Sequence, residues 1–186
     1  MMIRTALALS AAALFTACAS NNTSSTAMTM KPYDQASLPA AVQVPAGNRV
    51  AMETVGVGEI TYECRVKANM PGQYEWFFVG PDAKLNDRGG KTIGKYYGPP
   101  ATWENNDGSK LTATQVAVSP AGAGAIPLQL VKANPAMGSG AMTGVTYIQR
   151  VATVGGVAPA AACGATNVGA KQVVKYQADY IFYKAS

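Results

Sequence analysis

The stretch that decides the fold is GEITYECRVK, residues 58–67. Ile60, Tyr62, Cys64 and Val66 fall on one side of an extended chain; Glu59, Thr61, Glu63, Arg65 and Lys67 fall on the other. Successive side chains of a strand point to opposite faces, so this alternation predicts a half-buried strand with one wet face. Cys64 then lies on the core side.

The same period recurs outward from this stretch. Over residues 173–183, Val174, Tyr176, Ala178, Tyr180 and Phe182 share a face, and Lys175, Gln177 and Asp179 take the other. Further strands are expected at 49–55, 73–79, 111–118, 126–132 and 145–153. Asp87-Arg88-Gly89-Gly90, Asp107-Gly108 and Gly155-Gly156 are turn signals between them. Pro127 cannot donate to a sheet ladder, which predicts an edge position for its segment. No run of ten or more residues shows a helical period, and there is no internal repeat. Seven or eight strands in one small domain predict an all-β fold: a single antiparallel β-sandwich, with a barrel as the alternative.

Composition narrows the function. Charged residues make up only 13% of the chain while glycine is abundant at 19 residues, a profile that suits a compact exported β domain. The net charge of +5 is spread singly, without the basic runs that track phosphates, so nucleic acid is not an expected partner. There is no histidine. Ser-His-Asp and Cys-His nucleophiles, histidine acid–base catalysis and His-ligated zinc or iron are therefore excluded. No cofactor is expected, and no metal: two distant cysteines and scattered methionines do not make a site.

The first twenty residues, MMIRTALALSAAALFTACAS, carry one charge at Arg4 and then an apolar or small stretch from Ala6 to Phe15. That stretch is too short to span a bilayer and has the length of a signal-peptide core. Leu14-Phe15-Thr16-Ala17-Cys18 resembles a bacterial lipobox, which predicts lipidation of Cys18; Phe15 departs from the usual aliphatic residue, and cleavage after Ala17 or Ala19 is the alternative. Acyl chains hold a protein to a membrane because each buried methylene contributes about 0.8 kcal/mol. The expected organisation is a signal peptide at 1–17, a flexible tether at 18–37 rich in Ser, Thr and Asn, and a β domain at 38–186. The expected location is the bacterial cell envelope, anchored by lipid. Ala19 after the cysteine points to the outer membrane, on its periplasmic side or at the surface.

Removing Cys18 from the count leaves Cys64 and Cys163. In an oxidising compartment two thiols predict one disulfide, and two separate buried thiols are the alternative.

YYGPPATWENNDGS, residues 96–109, is the densest cluster of reactive side chains. One reading is structural: Pro99 and Pro100 fix a loop that delivers Trp103 into the core, and Asn106-Asp107-Gly108 turns the chain. The other is a shallow pocket. Tyr96, Tyr97 and Trp103 would stack on a sugar or another flat small molecule, and Glu104, Asn105 and Asp107 would bond its hydroxyls. Glu104, Asn106 and Asp107 also offer oxygens to calcium, but too few of them. Glu59 and Glu63 share a strand face about 13 Å apart, outside the roughly 5–9.5 Å of a glycosidase pair. Catalytic residues are not assigned.

Several pieces in order resemble one family. VPAGNRV opens the domain, GVGEITYEC follows, then GKYYGPPATWENNDGS, VTYIQRVATVGGVAPAAAC and a terminal YQADYIFYK. Together they resemble the domain-of-unknown-function family numbered 3455, over roughly residues 38–184. Relatives typically carry His-Tyr-Ala-Gly-Pro before the tryptophan; Tyr96 stands in place of that histidine, so an activity needing it is not expected here. Some relatives bear a malate dehydrogenase label, which these residues do not support. Gly56-Val57-Gly58 runs into a strand, whereas a dinucleotide fingerprint needs a third glycine opening a helix. The reading that emerges is a non-catalytic envelope lipoprotein. The alternative is a carboxylate-dependent enzyme or sugar-binding module acting on envelope glycans, with Glu104 and Asp107 as its acids.

Overall fold

The computed structural model describes residues 34–186. Eight strands follow one another: β1 (Asn48–Val66), β2 (Tyr74–Asn86), β3 (Thr92–Tyr97), β4 (Thr102–Asn105), β5 (Lys110–Ser119), β6 (Leu128–Ala133), β7 (Val145–Gly155) and β8 (Lys171–Ala185). Each pairs antiparallel with the next, and β8 returns to pair with β1, closing a barrel. The all-β antiparallel expectation holds, and the sheet takes the closed form that stood as the alternative to two packed layers.

β1 makes closure possible. Its 19 residues merge the segments expected at 49–55 and 58–67, and it reaches β2 over residues 55–66 and β8 over 48–63. A closed sheet has no edge. Pro127 therefore does not sit on one; it immediately precedes β6, where no ladder hydrogen bond is lost.

The expected alternation sets the two faces. Ile60, Tyr62, Tyr176, Ala178, Tyr180 and Phe182 are buried in the main core together with Leu85, Trp103, Leu111 and Ile148. Val66, at the end of its strand, is half exposed. Gly58 is needed at the β1–β2 crossing, because a Cβ there would run into the backbone of Asp82 and Ala83.

Outside the barrel, residues 34–44 form a strap over β7 and β8. Gln35 Nε2 donates to Gln149 Oε1 at 3.1 Å and to the Tyr183 hydroxyl at 2.8 Å, and Gln35 Oε1 accepts from Val44 N at 2.9 Å. Gln149 also donates to the carbonyl of Val42. Leu38 and Val44 cover a second apolar cluster of Val151, Ile181 and Tyr183. Gln35, expected in the tether, is thus part of the folded unit.

Cys64 and Cys163 are disulfide-bonded across 99 residues of sequence. The bond pins the β7–β8 connection against β1, where Gly169 N donates to Cys64 O at 2.8 Å and Cys64 N donates to Ala170 O at 2.9 Å. Trp76 Nε1 donates to Ala161 O at 2.7 Å and ties the same connection to β2.

Candidate functional site

The segment at 96–109 belongs to a hairpin: Pro99 and Pro100 lie in its turn at 98–101, Trp103 follows into the core, and the chain turns again at 106–108. β3 and β4, both missed by the strand pattern, pair Tyr96 with Trp103, Tyr97 with Thr102 and Lys95 with Glu104. Paired residues point to the same face, so the candidate side chains separate into two groups.

Tyr96 and Trp103 point inward. Both are buried, and their rings stack at 4.6 Å. Tyr180 closes against them at 4.9 Å from Tyr96 and edge-on at 5.9 Å from Trp103. These rings satisfy one another in the geometry aromatic groups prefer.

Tyr97 and Glu104 point outward. The Tyr97 hydroxyl donates to Glu104 Oε2 at 2.7 Å, and Lys95 Nζ lies 3.4 Å from Glu104 Oε1. The bond from Tyr97, with Lys95 beside it, holds the Glu104 carboxyl below the usual carboxylate range. The same bond raises the Tyr97 phenol. Next to them is a shallow cleft of about 260 Å³ lined by Lys95, Glu104, Asn105, Asn106 and Gly108. Neither Tyr96 nor Trp103 lines it.

Asp107 is turned into its own loop. Its Oδ1 accepts from Ser109 N at 2.9 Å and Ser109 Oγ at 2.6 Å, and its Oδ2 accepts from Ala141 N at 2.7 Å. The Ser109 hydroxyl bond, followed by the backbone donors, holds its carboxyl below the ordinary range. Asn106 donates instead to Thr92 O. The structure therefore does not bring Tyr96, Tyr97, Trp103, Glu104 and Asp107 to one cleft.

Two other places draw attention. A groove of about 580 Å³ lies across β8, β1 and β2, with Val57, Glu59, Asp82, Lys84, Val154 and Lys175 in its lining. Glu59 stands directly opposite Asp82, a relationship that puts Cβ atoms about 4.5–5.5 Å apart. A general acid is made by burying a carboxyl, whereas both of these are exposed, in a cross-strand row that runs Lys175, Glu59, Asp82, Tyr97. The pair was invisible in the sequence because only the register brings positions 59 and 82 together. Glu63, the partner weighed for Glu59, bonds Arg65 Nε at 3.0 Å.

The second place is inside the barrel, where Arg150 stands opposite Tyr180. Burial raises the phenols of Tyr62, Tyr96, Tyr176 and Tyr180, and at each the positive charge of Arg150 acts in the opposite direction. Arg150 drew no notice in the sequence. Alternation from Ile148 was the one signal that could have placed it on the inner face.

Among the described residues, no three of His, Cys, Asp and Glu converge to hold a metal. Cys18 and the leader lie outside the described residues.

Strand count, closure and a filled aromatic interior define a small up-and-down antiparallel β-barrel with one disulfide. Residues 45–184 match the family described as "Protein of unknown function (DUF3455)", and the chain belongs to that family. No curated protein and no solved structure matches it.

Proposed function

We propose that this chain is an exported lipoprotein, held in the bacterial cell envelope through Cys18, whose barrel works by binding and not by catalysis. The observation that carries export is the Cys64–Cys163 disulfide. Such bonds persist in oxidising compartments and are rare where thiols are kept reduced. The leader and the cysteine at its end supply the route and the anchor.

Binding is favoured over catalysis by what the carboxylates already do. Glu104 is engaged by Tyr97 and Lys95, Asp107 by Ser109 and Ala141, and Glu53 and Asp179 both bond Arg88, at 2.9 and 2.7 Å. The second reading, an enzyme or sugar-binding module acting on glycans through Glu104 and Asp107, has the outer cleft beside Glu104 behind it. It lacks the aromatic platform that sugar stacking requires, because Trp103 and Tyr96 are inside.

The test is expression of the full chain in a bacterium with palmitate labelling and membrane fractionation. The wild type is expected to label and to sediment with membranes, and Cys18→Ala to lose both and appear in the soluble periplasmic fraction. An unlabelled wild-type chain in the cytosol contradicts the proposal.

A further inference from the structure

Arg150 is an inward-facing cation without an ion-pair partner among the described residues. Across the ladders it is flanked by Tyr180 on one side and Gln129 on the other, and directly opposed residues share a face. Tyr180 is fully buried in the core, so this row lies on the inner face. Gln115 joins it from β5: it pairs with Val131, another core residue, and accepts from Gln129 Nε2 at 2.8 Å. The two amides are open to solvent where β5 and β6 approach the 120–127 connection. The arginine is therefore reached from water along a polar ledge.

The donors on this ledge exceed the acceptors. Arg150 Nε and Nη2 both donate to the carbonyl of Pro127, at 3.1 and 2.9 Å. Nη1 has no hydrogen-bond partner, and no carboxylate lies within ion-pair distance of the guanidinium, among the described residues. A guanidinium matches the two oxygens of a carboxylate or phosphate through parallel hydrogen bonds.

We propose that the Arg150 ledge, with Gln115 and Gln129, binds a small oxyanion: the carboxylate or phosphate group of a soluble ligand. This deepens the binding reading and is independent of the lipid anchor. A purely structural Arg150, clamping the Pro127 loop, would give stability without ligand response.

The experiment titrates the full chain, purified in detergent, with sodium phosphate and with sodium benzoate at constant ionic strength, followed by calorimetry and tryptophan fluorescence. Saturable binding of at least one probe is expected. Phosphate alone would assign an inorganic or phosphorylated guest, and benzoate alone a carboxylate on an apolar body. Arg150→Gln is expected to weaken binding tenfold or more, since charge-assisted hydrogen bonds contribute about 1.5–3 kcal/mol and 1.4 kcal/mol is tenfold. Gln129→Ala, which leaves the Pro127 clamp intact, is expected to weaken it about two- to fivefold, the worth of a single neutral hydrogen bond of about 0.5–1 kcal/mol; it keeps the test meaningful if Arg150→Gln does not fold. No saturable response to either probe, or equal affinity in wild type and both variants, overturns the site. With palmitate labelling intact, that result would leave the envelope reading standing.

Discussion

Tyr96 and Trp103 stack at 4.6 Å inside the barrel, while Tyr97 and Glu104, their neighbours in sequence, bond each other at 2.7 Å on the outside. One hairpin thus divides what reads as a single aromatic and acidic cluster between the core and the surface. The division has energetic consequences that separate the two groups.

Trp103→Ala removes a fully buried ring from contact with Tyr96 and Tyr180. Truncation of buried Phe or Trp costs about 3–5 kcal/mol, and urea unfolding is expected to show a loss of that size. Glu104→Gln, at the surface, is expected to lower the midpoint slightly at neutral pH and to match the wild type in acid, so that the decline with falling pH is flatter. The sign follows from a carboxyl held below its ordinary range: the stability it lends is present above the unfolded value and lost as pH falls through the folded one.

What the sequence made legible was the part that depends on local period. The inner faces of β1 and β8 could be read residue by residue, because Ile60 to Cys64 and Val174 to Tyr180 alternate without interruption. β3 and β4 could not. β3 carries Gly94 in the middle, where a Cβ would meet the backbone of Glu104 and Asn105, and β4 is 4 residues long. Their strand character comes from pairing, not propensity. Closure and the Glu59–Asp82 opposition depend on register between strands remote in sequence, and a single chain does not display register. Gln35 was hidden for another reason: in composition it matches the polar segment before it, and its anchoring is a matter of four side-chain hydrogen bonds.

The strap gives its own prediction. Gln149 is completely buried; its Nε2 donates to Gln35 Oε1 and the Val42 carbonyl, and its Oε1 accepts from Gln35 Nε2 and the Tyr183 hydroxyl. Gln35→Ala leaves part of the buried amide unpaired, which costs about 1–3 kcal/mol. Hydrogen exchange is expected to show faster exchange at the Val44 amide, with amides facing the barrel interior unaffected.

The disulfide closes 99 residues of chain. In the chain-entropy treatment a loop of that length stabilises a fold by about 4–5 kcal/mol. Cys163→Ser is expected to lower unfolding free energy by an amount of that order. The β1–β2 and β1–β8 ladders remain, so far-ultraviolet circular dichroism is expected to keep its native form at low temperature. Unchanged stability would mean that the denatured chain is already compact.

Alkali is expected to unfold the protein. Burial raises the phenols of Tyr96, Tyr176 and Tyr180 above the ordinary value of 10.0, that of Tyr180 well above it. Groups whose proton is held more tightly in the folded state contribute stability that is intact below the unfolded value and falls as pH rises beyond it. Ultraviolet titration should show the ionisation of Tyr96, Tyr176 and Tyr180 appearing only with unfolding. A single smooth titration of all the tyrosines in folded protein would contradict the buried cluster.

The most direct measurement of the account is the intact mass of the protein recovered from bacterial membranes, with and without reduction before thiol alkylation. The account predicts a chain that begins at Cys18, carries acyl mass on that residue, and exposes Cys64 and Cys163 to alkylation only after reduction. A chain that keeps residues 1–17, lacks acyl mass and alkylates at all three cysteines without reduction would contradict it.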